Sequence, residues 1–145
     1  MKDTDEQHTP KWIFEALNVE FDLDVCAPDG GVEWIPAKKH YSLKDDSLNQ
    51  AWSGMVWMNP PYSQPTQWVN KFIEHGNGIA LLPYSKSAWF LHIWEKADGI
   101  IALTPRMKFV KSNGDLNSIF MPVCLVGIGS RSVTALKNCN LGYMR

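Results

Sequence analysis

The sequence predicts an α/β fold with a mostly parallel sheet and an antiparallel hairpin near the C-terminus. Three observations predict it. Short apolar runs alternate with stretches of helical period along the whole chain. Two of those runs, residues 78–83 and 99–103, are apolar without alternation, as strands buried on both faces require. Late in the chain, Asn113-Gly114 sits between two apolar segments, and Asn-Gly is a hairpin signal.

The elements follow in order. Thr9-Pro10 reads as an N-cap followed by proline at the first helical position. The helix then runs over 11–17, with Trp12, Ile13, Ala16 and Leu17 on its apolar face. Residues 21–25 are the first strand candidate. Residues 28–43 are rich in Pro, Gly, Lys and Asp and read as an ordered but irregular loop. An irregular stretch of that length is more often functional than idle. A second strand is expected over 54–58, and a helix over 64–75 with Trp68, Phe72 and Ile73 periodic. After the strand at 78–83 comes a helix over 87–97, capped by Ser85 or Ser87, and then the strand at 99–103. Residues 108–110 and 119–128 form the arms of the hairpin, which adds an antiparallel edge, and residues 131–145 are weakly patterned. In sheets of this class ligands bind outside the carboxyl ends of the strands, where Asp24, Asn59 and Pro83-Tyr84 all fall.

Composition narrows the class. The 145 residues fit one domain, 1–145, with a real core, and 45% apolar with 20% charged residues is a globular balance. The longest apolar run, residues 119–129, is too short to span a bilayer. Residues 1–7 are polar and acidic, unlike a signal peptide, so no membrane partner and a cytoplasmic location are expected. Cys26, Cys124 and Cys139 are scattered and lack ligand spacing, which predicts reduced thiols and no metal site. Net charge is −1, divided as −6 over residues 1–83 and +5 over 84–145. Only the second half suits a phosphate backbone, although ordinary surface variation yields the same split. Seven tryptophans exceed what a small core needs, and exposed aromatics stack on bases.

The chemistry concentrates in Asn59-Pro60-Pro61-Tyr62, directly after the apolar run 54–58. A planar amine such as that of adenine has two N–H donors and a lone pair delocalised into its ring. The Asn59 side-chain oxygen and the Pro60 carbonyl can accept both hydrogens. Holding them raises electron density on nitrogen and favours the pyramidal geometry that attack needs. Tyr62 offers a face for stacking. Pro60 and Pro61 fix the turn, so the acceptors are pre-organised. The same residues also suit a tight turn that merely ends a strand.

Asn-Pro-Pro-Tyr after an apolar strand resembles the signature of S-adenosylmethionine-dependent amino-methyltransferases. The wider string from Trp52 to Ser63 is similar to the short phage and prophage DNA N6-adenine methyltransferases, the Dam-like family. Further elements resemble that family in order: Thr9-Pro10 with Ile13-Phe14 and Leu17, residues 21–27, Asp46-Ser47-Leu48 before Trp52, Leu81-Leu82-Pro83 followed by Trp89-Phe90, and Arg106-Met107-Lys108-Phe109. The resemblance implies a compact Rossmann-like S-adenosylmethionine-dependent methyltransferase fold. It also implies methyl transfer from S-adenosylmethionine to adenine N6 in DNA, on a base flipped from the duplex. The setting would be the bacterial host cytoplasm for a phage-encoded chain.

Roles follow by resemblance. Asp24, Cys26 and Ala27 would line the pocket for the methionine and ribose part of the cofactor. Asp46 would accept from the cofactor's adenine amine. Thr9 and Pro10 would close over the methionine end, and Asn59 would lie between cofactor and substrate. Asn59, Pro60, Pro61 and Tyr62 would form the catalytic turn, with Ser63 beside the substrate and Phe109 packing the target base's other face. Arg106, Lys108, Lys111 and also Lys86 are expected on phosphates. The chain departs from the family after the first strand, where Cys26-Ala27-Pro28-Asp29-Gly30-Gly31 replaces the Gly-rich turn. The segment before the second strand is too short for a second βα unit, leaving Asp29 and Glu33 as candidates for the ribose hydroxyls. Two alternatives stay open on sequence: a methyltransferase of another planar amine (protein glutamine or RNA guanine N2), and a degenerate DNA-binding module.

Overall fold

Six strands join in one sheet with helices on both faces. The computed structural model describes residues 8–103, 109–110, 116–117 and 122–145. Helix α1 (Lys11–Leu17) leads to β1 (Leu23–Asp24). Two one-turn 3-10 segments, Leu43–Asp45 and Ser47–Asn49, precede β2 (Val56–Met58). Then come α2 (Thr66–His75), β3 (Gly78–Pro83), α3 (Ala88–Lys96) and β4 (Gly99–Leu103). Strands β5 (Phe109–Val110) and β6 (Leu116–Asn117) form a separate ladder, followed by β7 (Val123–Ile128), α4 (Ser130–Asn138) and β8 (Gly142–Met144).

The sheet order is β1-β2-β3-β7-β4-β8. It is mixed rather than mostly parallel. Among the named strands of this sheet, β1–β2 and β2–β3 pair in parallel, while β3–β7, β7–β4 and β4–β8 are antiparallel. Strands β1 to β4 all point one way, and β7 inserts in reverse between β3 and β4. An apolar run buried on both faces reads the same in either direction, so direction is invisible in Val123–Ile128.

The hairpin expectation needs the same correction. Phe109 pairs with Asn117 and Val110 with Leu116, so the partner of 109–110 is not the long apolar run. That run supplies the central strand β7. The antiparallel edge comes instead from β8, within the weakly patterned 131–145. Gly142 sits so close to β4 that an added Cβ would lie 1.9 Å from the Ala102 carbonyl oxygen. Close backbone approach at glycine and the exposed Tyr143 explain why β8 carries no strand pattern.

The pleat divides the core. Trp57, Ile79, Leu81 and Leu125 face α1 and α4, together with Ile13, Phe14, Leu17 and Leu136. Val56, Met58, Ala80, Leu82 and Val126 face α2 and α3, together with Val69, Phe72 and Ile93. Helix α2 ends at Gly76, whose positive φ of 74° lets its N–H reach the Phe72 carbonyl at 3.0 Å.

The irregular segment 28–43 returns alongside β1. Tyr41 N–H donates to the Asp24 carbonyl at 2.9 Å, and Asp24 N–H donates to the Lys39 carbonyl at 2.9 Å. Isolated parallel bridges join Phe21 to Ala37 and Asp24 to His40. The segment therefore pairs the otherwise open outer side of β1. No helix among the described residues is long and apolar enough to cross a membrane.

Candidate active site

Because β1, β2 and β3 are parallel neighbours, their carboxyl ends share one edge. Asp24 closes β1, Asn59 follows β2, and Tyr84 follows β3. The entry to β2 is set by Asp22, whose Oδ2 accepts from Met55 N–H at 2.8 Å. Gly54 beside it has φ +70°, and a Cβ there would lie 2.2 Å from that same oxygen. Glycine is thus required where the chain turns into the strand that carries the Asn-Pro-Pro-Tyr motif.

Asn59 is fixed from the N-terminal side. Its Nδ2 donates to Thr9 Oγ1 at 3.4 Å, across fifty residues of sequence. Thr9 is 1% exposed, and its carbonyl accepts from the Trp34 indole at 2.7 Å. Three segments therefore meet here: the entry to α1, the loop 28–43 and the end of β2. This corrects one expectation. Thr9 is not the N-cap of α1; that position belongs to Pro10, with no side-chain capping bond. Thr9 is itself buried, and its hydroxyl accepts from the half-buried Asn59 amide instead of capping the helix. The bond to Nδ2 turns Asn59 Oδ1 away from Thr9.

Tyr62 is anchored by a consequence of proline. Val56 N–H reaches the Asn77 carbonyl at 3.1 Å, which puts the carbonyls of residues 79 and 81 next in phase on β3. The N–H due to meet Leu81 belongs to position 60, and Pro60 has none. The Tyr62 hydroxyl takes that carbonyl instead, donating to Leu81 O at 3.0 Å. Burial pushes the phenol well above its ordinary range, so it remains a neutral donor.

Asp24 is 3% exposed and its carboxyl is pushed up to about 7. Burial is the main cause, opposed by the Cys26 N–H, which donates to Oδ1 at 3.2 Å. No ion pair to Asp24 exists among the described residues. A buried carboxyl without a cation, at a strand end, suits a positively charged ligand. The ammonium and sulfonium of S-adenosylmethionine fit that requirement. Cys26 is half-buried, and Ala27 is buried with its N–H on the Tyr41 carbonyl at 2.9 Å.

Asp46 lies apart from these residues, beside α2. It has left-handed backbone, φ 51°, between the two 3-10 turns, and its Oδ2 accepts from Asn49 Nδ2 at 2.7 Å. It lines an open cleft of about 820 Å³ with Trp52, Lys71 and His75. Neither Asp24 nor Asn59 lines that cleft. Lys71 holds its wall: Nζ donates to the Leu48 carbonyl at 2.9 Å and also to the Ser47 and Gln50 carbonyls. The same ammonium sits 5.1 Å from the centre of the Trp52 ring.

A second cleft, of about 790 Å³, adjoins the first through Leu48 and Gln67. Tyr62 and Ser63 line it, with Trp68, Tyr84 and Trp89. Exposed Lys86 lies between two of its lining residues, Ser85 and Ser87. The structure therefore joins Thr9 to Asn59 and sets Tyr62 beside a cleft. Phe109 is placed only as part of β5, and Arg106, Lys108 and Lys111 lie outside the described residues.

Sequence reasoning passed over Lys71, Trp34 and Asp22. A lone lysine on the polar side of a helix carries no signal that it will cap a distant turn. The surplus of tryptophans was the one hint of the roles of Trp34, whose indole bonds the Thr9 carbonyl, and Trp52, whose ring lies under the Lys71 ammonium.

Similarity to known proteins identifies the family. The family model described as DNA N-6-adenine-methyltransferase (Dam) matches residues 1–121. A DNA N-6-adenine-methyltransferase of Haemophilus phage HP1 is 30% identical over 122 residues, covering 76% of this chain and 69% of the relative. One of Escherichia phage T1 is 39% identical over 89 residues, covering 57% of this chain and 36% of the relative, so the chain spans only about a third of that protein. The chain belongs to the DNA N-6-adenine-methyltransferase (Dam) family.

Proposed function

We propose that residues 1–145 act as a single methyltransferase domain that transfers the methyl group of S-adenosylmethionine to N6 of adenine in DNA. Adenine N6 methylation is the activity of the family to which the chain belongs. The carrying observation is the motif's geometry: Asn59 held by Thr9 and Tyr62 held by Leu81, at the carboxyl end of β2. The four co-directional strands with one reversed insertion support a Rossmann-like methyltransferase fold.

S-adenosylmethionine supplies, when bound, a methyl already activated on a sulfonium. The chain's contribution is position and desolvation. Asn59 Oδ1 and the Pro60 carbonyl accept the two amine hydrogens and direct the nitrogen lone pair out of the ring plane. Pro60 and Pro61 keep those acceptors from relaxing as charge develops. Tyr62 stacks on the base, and Ser63 flanks it. Asp24, with Cys26 and Ala27, receives the cationic end of the cofactor, while Thr9 and Pro10 close over it. Asp46 takes the cofactor's adenine amine. An adenine in a duplex cannot reach this turn, so the base is flipped out. Phe109 packs on its other face, and Arg106, Lys108, Lys111 and Lys86 contact phosphates.

The direct test is transfer of labelled methyl from S-adenosylmethionine to DNA, RNA and protein in parallel, followed by nucleoside analysis. N6-methyladenine from DNA is the expected product. Label in RNA guanine or protein glutamine alone would move the substrate, and no transfer with no cofactor binding would leave only a DNA-binding module.

A further inference from the structure

We infer that the cleft beside Tyr62 holds a second nucleobase, the neighbour of the target adenine on the same strand. The inference rests on the proposed adenine methylation and adds a subsite to it. The cleft lies between the N-terminal ends of α2 and α3 and the exit of β3. It is therefore on the strand edge that carries Asn59. Tyr62 and Ser63 line it, whereas Asn59 and Pro60 do not. A base lying there is not the one whose amine the Asn59 and Pro60 acceptors hold. It sits next to it, with Tyr62 reaching both.

The lining suits a base. Tyr84 and Trp89 both lean on Phe90, with ring centres 5.5 and 5.7 Å from it at steep angles. Phe90 is buried, so the two rings are braced while still lining the cleft. Trp68 is backed by Trp52 in a stacked arrangement at 6.3 Å and 24°. Rigid aromatic walls give stacking area with little ordering cost. Ser63, Ser85 and Ser87 also line the cleft, and Lys86, exposed, lies between the latter two in the chain. Aromatic walls interleaved with hydroxyl-bearing residues, with the exposed Lys86 next to them in the chain, match a nucleotide better than an apolar peptide. At about 790 Å³ the cleft is in the range that takes a drug-sized ligand and has room for a purine with its sugar.

The experiment is a cycle between Trp89→Leu and a DNA substrate made abasic at one neighbour of the target adenine, tested on each side in turn. The readouts are the Kd of the oligonucleotide by fluorescence anisotropy and the KM for DNA. On intact DNA, Trp89→Leu is expected to weaken both about 5- to 150-fold, the value of one lost stack. The loss falls in KM for DNA rather than in the affinity for S-adenosylmethionine. On one of the two abasic substrates the wild type drops to the variant's level and the variant loses nothing more. Trp89→Phe retains most of the binding, which separates stacking from a folding defect. Equal losses by Trp89→Leu on intact and both abasic substrates, or no loss at all, overturn the subsite. A wild type that methylates DNA adenine but shows no such coupling sinks the subsite alone. A wild type that methylates no adenine sinks the functional reading, and the anisotropy cycle still decides whether a base occupies the cleft.

Discussion

Asn59 Nδ2 lies 3.4 Å from Thr9 Oγ1, so the amide at the end of β2 is oriented by a hydroxyl fifty residues earlier in the chain. A residue just before the first helix thus sets the direction of the acceptor in the candidate active site.

That bond predicts non-additive kinetics. Asn59→Ala should cost about 2.7–4 kcal/mol of barrier, the loss typical of one preorganised polar contact. Thr9→Val leaves the amide in place but without its orienting partner and should cost less, roughly tenfold in kcat. The double variant should be no slower than Asn59→Ala alone. Single-turnover methyl transfer checks this; additive losses would show that Thr9 acts independently.

Tyr62→Phe keeps the ring and removes the donor to Leu81. The carbonyl left by the proline break in the ladder then has no donor, at a cost of about 1–3 kcal/mol. Urea unfolding measures it. An unchanged midpoint would mean that water or a shifted strand replaces the bond.

Asp24 predicts a pH signature. Its carboxyl titrates at about 7 in the fold against an ordinary 3.8. Below 3.8 both folded and unfolded chains hold the proton, and the group is neutral to stability. From there to about 7 the unfolded chain releases its proton while the fold retains it, so stability falls as pH rises. Above 7 the penalty is constant, on the order of 4 kcal/mol. Asp24→Asn should remove this term, so the variant's advantage over wild type grows from pH 4 to 7 and then levels. Parallel stability curves would contradict it. The affinity of wild type for S-adenosylmethionine should rise through pH 7 as the carboxyl ionises, and the variant should lose that rise.

Lys71→Met removes the donor from three carbonyls of the turn that follows Asp46. Charge-assisted bonds contribute about 1.5–3 kcal/mol, so a loss near 2 kcal/mol is expected. If the turn carries the cofactor's adenine, KM for S-adenosylmethionine rises roughly tenfold while kcat stays within about twofold. Lys71→Arg should restore part of the affinity. A fall in kcat alone would separate Lys71 from the cofactor.

Helix α1 and strands β3 and β4 begin and end where their patterns predict, because each is a clean apolar period bounded by Pro, Gly or Asn. Strand β8 was not legible, being three residues held by glycine's close approach to Ala102. Capping at Thr9 was misread for a related reason. The local pattern fits a cap, but the side-chain amide of Asn59, distant in sequence, takes the same hydroxyl.

The sequence by itself determined the Asn-Pro-Pro-Tyr turn, its position after a buried strand and the family to which the chain belongs, because these depend on residues adjacent in the chain. Only the tertiary structure decided the direction of β7, the partner of Asn59, the raised carboxyl of Asp24 and the cleft walled by Tyr62, Tyr84 and Trp89. Each of those arises from burial or pairing between segments far apart in sequence, and neither solvent exclusion nor strand direction is encoded in a local pattern.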